Sequence, residues 1–419
     1  MQVKYVHWPV FATLLCLQTL VVRAGEIVFS NGFEPSPQSL SVGYYSACAL
    51  LADTTVRCWG DNSGGQLGNP LVGYRAVGHA VQVRDSEGVL SGVAQVVVGN
   101  WHVCARMLDG AVKCWGSNFS GQLGLGNVEA TAIHGPTDVP GLVSPGITVR
   151  EIAVGKEHTC ALLSTLVVRC WGLNQIEQSG QPNATAPNMA YVNSPKTIDL
   201  GGASPLHIAI GAYQGCVLTD RGTYCWGKNT DGELGRTLQP NLLWDMPGRS
   251  VVDLLDVQSF SSGASASHYC VTLPDQSHAC WGRFESGQLG DGTADYGALD
   301  AGKAVPSRVL GDPGFSELAL GALNSCGISN GALYCWGDGS YGQLTEAAPV
   351  FTSSPFQTSI VSDAKRVAVG AGVICAIVGD HVLCWGTNDG GILGRDLRCG
   401  IDPNPDACIS STPRVVRGL

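Results

Sequence analysis

Seven times this chain sets one cysteine 9 or 10 residues before a second that opens the tripeptide Cys-Trp-Gly. The pairs are Cys48 and Cys58, Cys104 and Cys114, Cys160 and Cys170, Cys216 and Cys225, Cys270 and Cys280, Cys326 and Cys335, and Cys375 and Cys384. Cys399 and Cys408 form an eighth pair with a gap of 9. Thiols at such positions could hold zinc, exchange electrons or cross-link the chain. Zinc sites are built on short Cys-x2–4-Cys spacings, and the redox signature is Cys-x-x-Cys. Neither spacing occurs here, so cross-linking is the chemistry the cysteines favour.

Other residues could carry chemistry. His102, His158 and His268 each stand two residues before a paired cysteine, and three histidines suggest a metal or a general base. The same position holds Ser46, Gln214, Asn324 and Val373 in the other copies, so a structural hydrogen-bonding role is expected. Asp402, Asn404 and Asp406 alternate like part of a calcium loop, but the loop's glycine and closing glutamate are missing and prolines intervene. No nucleophile elbow, P-loop or dinucleotide fingerprint is present. The expectation is a chain with no catalytic residue, no metal and no cofactor. The recurrent tryptophans are assigned to packing, not to a ligand cage.

The elements that position these residues follow from the repeat. Cys-Trp-Gly recurs at intervals of 56, 56, 55, 55, 55 and 49 residues. Each period holds an apolar or alternating stretch before the first cysteine, a strand–turn–strand between the cysteines, a Gly-rich turn such as "SNFSGQLG", and in most copies a Pro-x-x-Val/Ile strand. That is the four-strand content of a propeller blade, and seven copies predict an all-β, seven-bladed β-propeller. Parity fixes the cysteines. In Cys326/Cys335 the gap of 9 is centred on Asn330-Gly331, a two-residue hairpin signal. In Cys104/Cys114 the gap of 10 is centred on Asp109, with Gly110 suited to the left-handed position of a three-residue loop. Both gaps place the cysteines directly opposite each other, where a disulfide needs little distortion. Each staple closes a short loop and contributes about 2–3 kcal/mol at most. The first copy lacks a Pro-x-x-Val strand, and Pro413…Val416 at the chain end matches it, so the C-terminal strand is expected to complete the first blade and close the ring.

Composition sets the class. Of 419 residues, 44% are hydrophobic, 14% charged and 56 are glycine, which suits a packed protein of strands and tight turns. The net charge of −10, without a basic run, argues against nucleic acid and anionic membranes as partners. Residues 1–24 read as an export signal, with Lys4 before an apolar run too short to span a membrane comfortably and Val22-Arg23-Ala24 at the cleavage point. Residues 25–39 then form a linker and 40–419 the propeller. Cys16 leaves with the signal, and the sixteen cysteines that remain are an even number, as expected of an exported, disulfide-bonded protein in the periplasm or the medium.

"GKEHTCALLSTLVVRCWGLN" (155–174) and "NFSGQLGLG" (118–126) resemble the repeats of the regulator-of-chromosome-condensation family, a seven-bladed propeller. The resemblance runs from residue 40 onward, and the cysteine pairs and export signal look like an exported, disulfide-stapled bacterial branch. Copy three departs from it with "LNQIEQSGQ" and copy six with "GQLTE". The founding members are nuclear guanine-nucleotide exchange factors, an activity that fold analogy alone would carry over. Exported members include inhibitors of secreted β-lactamases. A rigid ring with variable loops is expected to be a monomeric scaffold that binds a protein partner, and the resemblance adds inhibition or regulation of an extracellular or envelope enzyme as a subtype. The alternative is a polysaccharide-acting hydrolase or lyase. The candidate binding residues lie three before each first cysteine: Tyr45, Trp101, Glu157 and Tyr213, followed by Ser267, Leu323 and Gly372. Glycines flank these turns while the residues between them vary, as a binding face on a rigid scaffold requires. The connectors around Trp244 and Tyr296 are the next candidates, assigned to the opposite face.

Overall fold

The computed structural model describes residues 21–23, 26–28, 35–182, 190–236, 244–245, 257–295, 302–344, 350–395 and 408–419. The chain divides into Met1–Pro35 and Ser36–Leu419. In the first unit Val21–Arg23 pairs antiparallel with Glu26–Val28. Most of the expected export signal lies outside the described residues, as do Asp402, Asn404 and Asp406.

Ser36–Leu419 folds into seven four-stranded antiparallel sheets, each formed by four strands consecutive in the chain, which make a seven-bladed propeller. Blade one comprises Pro37–Val42, Ser46–Leu51, Val56–Gly60 and Val77–Gln82. Blade seven comprises Ala364–Val369, Val373–Val378, His381–Thr387 and Ile409–Val415. The C-terminal strand is thus the outer strand of the last blade, not of the first as expected. The edge it was assigned to is already paired, Arg57 with Gln82, while Leu383 pairs with Val415. The chain end still bridges the two blades. Val416 is buried with Trp59 and Ala80 of blade one, and the Ala80 N–H donates to the Arg417 carbonyl at 2.7 Å.

All seven expected hairpin disulfides are formed, with Cα–Cα separations of 4.1–4.2 Å between directly opposed residues. Cys408 is also disulfide-bonded, and its expected partner Cys399 lies outside the described residues. The loops follow the parity rule. Ser329 pairs with Ala332 around Asn330-Gly331, whose φ angles are 50° and 78°, a primed two-residue turn. The Met107 N–H donates to the Ala111 carbonyl around a three-residue loop that ends on Gly110 at φ 85°.

The adjacency of Cys and Trp has a geometric reason. Successive residues on a strand point to opposite faces, so the disulfide and the indole of one blade enter different interblade cores. Cys104 and Cys114 of blade two pack with Trp171 of blade three, and Cys375 and Cys384 of blade seven pack with Trp59 of blade one. All seven Cys-Trp-Gly indoles are fully buried, and each Nε1–H donates to a backbone carbonyl in the turn of the preceding blade. Trp171 reaches Gln122 at 2.9 Å, and Trp59 reaches Ile392 at 2.8 Å, which carries the pattern across the ring closure.

The accepting turn braces itself. In "NFSGQLG" Asn118 Oδ1 accepts the Leu123 N–H at 3.1 Å and Gln122 Oε1 accepts the Ser120 N–H at 2.8 Å. Copy three keeps this geometry despite its sequence: Gln178 Oε1 accepts from Ile176, Asn174 Oδ1 accepts from Ser179, and Glu177 at φ 60° stands in for the glycine. In blade four Glu233 replaces the glutamine, and this buried carboxylate lies 2.8 Å from Lys228 Nζ.

Candidate functional site

The turn between the first two strands of each blade carries the candidate residue, and the backbone beneath it is pinned. The glycine of Cys-Trp-Gly sits at φ between 91° and 108° in all seven blades. A Cβ there would lie 2.2–2.7 Å from the carbonyl oxygen of the candidate residue, so only glycine fits. That carbonyl accepts the N–H of the residue after the glycine: Asp61 to Tyr45 at 2.9 Å, Ser117 to Trp101 at 2.9 Å, Leu173 to Glu157 at 2.8 Å and Lys228 to Tyr213 at 3.1 Å. The signature that spells the blade core therefore also fixes the rim residue, whose side chain is left to vary.

These bonds also set the topology of the faces. Strand direction alternates within a blade, so the connector after the third strand leaves from the same end as the turn after the first. The strand Trp244–Asp245, paired with Gly227 and Lys228, belongs to such a connector. Assignment of Trp244 to the opposite face is therefore corrected; Tyr296 lies outside the described residues.

Tyr45, Trp101, Glu157 and Tyr213 are all half-buried on this one rim. Tyr45 and Trp101 are in ring contact, with centroids 5.8 Å apart. Tyr44 meets Tyr45 edge-on at 4.4 Å. Lys156 Nζ lies 5.4 Å from the Tyr44 ring and 4.8 Å from the Tyr213 ring, tying blades one, three and four together by cation–π contact. Glu157 Oε2 accepts the Ser120 hydroxyl at 2.9 Å. Burial raises the Glu157 carboxyl above its ordinary range against the donation from Ser120 and the charge of Lys156. Burial also raises the Tyr45 phenol, helped by Tyr44, Asp389 and Asp61. Over blades five to seven the turns after the first strand carry no aromatic residue: Ala266 and Ser267 are buried, Ala322 and Leu323 half-buried, and a Cβ on Gly372 would lie 3.3 Å from the exposed Tyr341 ring of the preceding blade.

Sequence reasoning missed Tyr44 and Lys156, one position earlier in the same turn, and Asp61, Asp389 and Tyr341 from the turns after the third strand. Extending the register by one residue would have found the first two. The others needed the knowledge that both sets of turns share a face.

The three histidines lie in the walls between blades. Thr159 Oγ1 donates to the Gln122 carbonyl at 3.1 Å, so His102 donates its Nε2–H to that hydroxyl at 2.9 Å. His268 repeats the arrangement with Ser325 at 2.8 Å and Gln288. All three are fully buried, and burial lowers each to about 3, so they are neutral around pH 7, with His102 and His268 as structural donors. Among the described residues no group of three or more His, Cys, Asp or Glu could hold a metal ion. The axial cavity, about 230 Å³, is lined by Val42, Val98, Val154, Ile210, Leu320, Val369 and their neighbours, none of them titratable. No described helix is long and apolar enough to cross a membrane.

Comparison with known proteins agrees with this architecture. A family model described as the regulator of chromosome condensation (RCC1) repeat matches residues 109–162, and a second with the same description matches 38–66 and 93–122. The chain is 29% identical over 357 residues to the human E3 ubiquitin-protein ligase HERC2, a match covering 81% of this chain but 7% of the ligase. It is 26% identical over 370 residues to the ultraviolet-B receptor UVR8 of Arabidopsis thaliana, covering 85% of this chain and 78% of the receptor. Among solved structures, Prp20p from Saccharomyces cerevisiae superposes with a TM-score of 0.71 at 21% identity, over 90% of this chain and 88% of that one. Human WBSCR16 gives 0.67 at 21% identity, over 83% and 88%.

Proposed function

This chain belongs to the regulator-of-chromosome-condensation repeat family, and from that premise we propose that it is an exported scaffold whose rim binds a protein partner, with inhibition or regulation of an extracellular or envelope enzyme as the outcome. One observation carries the reading. Pinned backbone presents aromatic and charged side chains over blades one to four, where Tyr45, Trp101, Glu157 and Tyr213 are half-buried on turns held by a backbone hydrogen bond and a close glycine contact. Tyr and Trp are the types that dominate binding energy at protein interfaces. Relatives of this fold point the same way: yeast Prp20 is described by its binding to Gsp1p and histones and in complex with Kap60. The seven disulfides fit an oxidising environment, and we place the protein in the periplasm or the medium, as a monomer. The hydrolase or lyase alternative finds no acid or base in the lining of the axial cavity.

The experiment is capture from periplasm and culture medium by the folded, oxidised chain beside its Tyr45→Ala/Trp101→Ala/Tyr213→Ala variant. A partner retained by the first and lost by the second supports the rim. Equal capture by both removes it.

A further inference from the structure

The rim over blades one to three combines aromatic faces with carboxylates and leaves its cation occupied. Asp61 follows the Cys-Trp-Gly of blade one and is tied to Tyr45 by its backbone N–H. Its Oδ2 accepts the Ser63 hydroxyl at 2.6 Å and the Gln66 amide at 2.9 Å, contacts that orient the carboxylate without neutralising it. Ring closure brings the blade-seven turn against it: a Cβ on Gly390 would lie 2.9 Å from Asp61 Cβ, so the exposed Asp389 stands beside the same patch. Glu157 adds a third carboxylate from blade three, held by Ser120. Among the described residues none of these three acids forms an ion pair. Lys156, the lysine on these turns, is engaged by the Tyr44 and Tyr213 rings.

A π-face flanked by unpaired carboxylates is chemically selective. The ring quadrupole attracts cations, most strongly for Trp, and the carboxylates add charge-assisted acceptors. An anionic or purely apolar group placed there would meet repulsion or strand the acids. We propose that Tyr45 and Trp101, with Asp61, Asp389 and Glu157 around them, receive a cationic side chain, arginine or lysine, projecting from the partner. This rests on the rim being the binding face and goes further in naming the chemistry that face accepts. Charge complementarity carries it: the chain's net charge is −10, and the three carboxylates outnumber the single lysine on these turns.

The test uses the folded, oxidised protein with hexa-arginine, hexa-lysine and hexa-glutamate peptides as probes, read by isothermal titration calorimetry. Both basic peptides should bind and hexa-glutamate should not. Asp61→Asn/Asp389→Asn/Glu157→Gln and, separately, Trp101→Ala should each weaken the basic peptides by about tenfold or more. Neutralising exposed acids elsewhere, Asp380→Asn with Glu87→Gln, should change binding by less than about twofold if the patch and not overall charge is responsible. Should the triple variant fail to fold, Asp389→Lys alone, at an exposed side chain, should produce the loss. Binding of hexa-glutamate as tight as hexa-arginine, or equal losses in the patch and control variants, overturns the proposal. The two readings fail separately. Partner capture that depends on Tyr45, Trp101 and Tyr213 without any basic-peptide binding overturns the cationic specificity and leaves the rim as the site; loss of both removes the rim itself.

Discussion

Over blades one to four the rim positions read Tyr45, Trp101, Glu157 and Tyr213; over blades five to seven they read Ser267, Leu323 and Gly372. Beneath both halves the same glycine, the same carbonyl acceptor and the same indole hydrogen bond recur. The halves therefore differ in what they display and not in how they are held. A scaffold that fixes each turn through backbone groups lets side chains change without cost to the blade, which is how a repeat protein can concentrate its surface chemistry on one side. If that separation is real, insults to the scaffold should act alike in both halves, and insults to the rim should not.

The largest effect is expected from acid. His102 and His158 serve the decorated half and His268 the bare one, and burial lowers all three from 6.5 to about 3. Their folded pKa lies below the unfolded value, so the unfolded chain binds more protons between those limits. Stability is fully present above pH 6.5 and is lost as pH falls toward 3, by on the order of 4 kcal/mol per histidine. His102→Gln and His268→Gln, which copy the residue blade four uses at Gln214, should each flatten the acid limb by a similar amount in thermal unfolding. A flattening confined to one half would break the equivalence of the blades.

Next come the indoles. Trp171→Ala and Trp336→Ala each empty a fully buried site and orphan a turn carbonyl, so each should cost about 3–5 kcal/mol in denaturant unfolding with disulfides intact. Costs that differ by more than about 2 kcal/mol would mean that the halves are not held alike. The seam where the halves meet should be weaker. Removing residues 416–419 takes away the buried Val416 and the bond to Ala80, for about 2–3 kcal/mol. Hydrogen exchange should rise in Val77–Gln82 of blade one as well as in Ile409–Val415 of blade seven; a rise in blade seven alone would show that the tail does not clasp its neighbour.

The scaffold was legible because it is written in local rules repeated seven times. Two-residue alternation separates Cys from Trp, and parity decides which cysteines face each other across a hairpin. What was not legible depends on the ring. Pro413…Val416 looks like any other outer-strand signal, and nothing in its residues says whether blade one or blade seven has the free edge. Asp61 and Asp389 stand at opposite ends of the chain, and only the packing of the last blade against the first makes them neighbours. Trp244 was placed on the wrong face because a connector's end of the blade follows from strand direction, not from its composition.

The smallest effect is the most discriminating. Trp101→Ala should leave folding intact and weaken partner binding by about 2 kcal/mol, because a half-buried indole on a fixed turn supplies contact area at low entropic cost. Leu323→Ala and Ser267→Ala stand at the same register in blades six and five, on equally pinned backbone. Ser267 is nearly covered already, and Leu323 is a smaller, non-aromatic side chain, so each offers a partner less contact area than the Trp101 indole. Each should change binding by less than about 0.5 kcal/mol. The three variants together, measured against one captured partner by calorimetry, separate a one-sided site from a complete ring of contacts. Equal losses at Trp101 and Leu323 would mean that the partner covers the whole rim, and that the difference between the halves is one of composition without consequence for recognition.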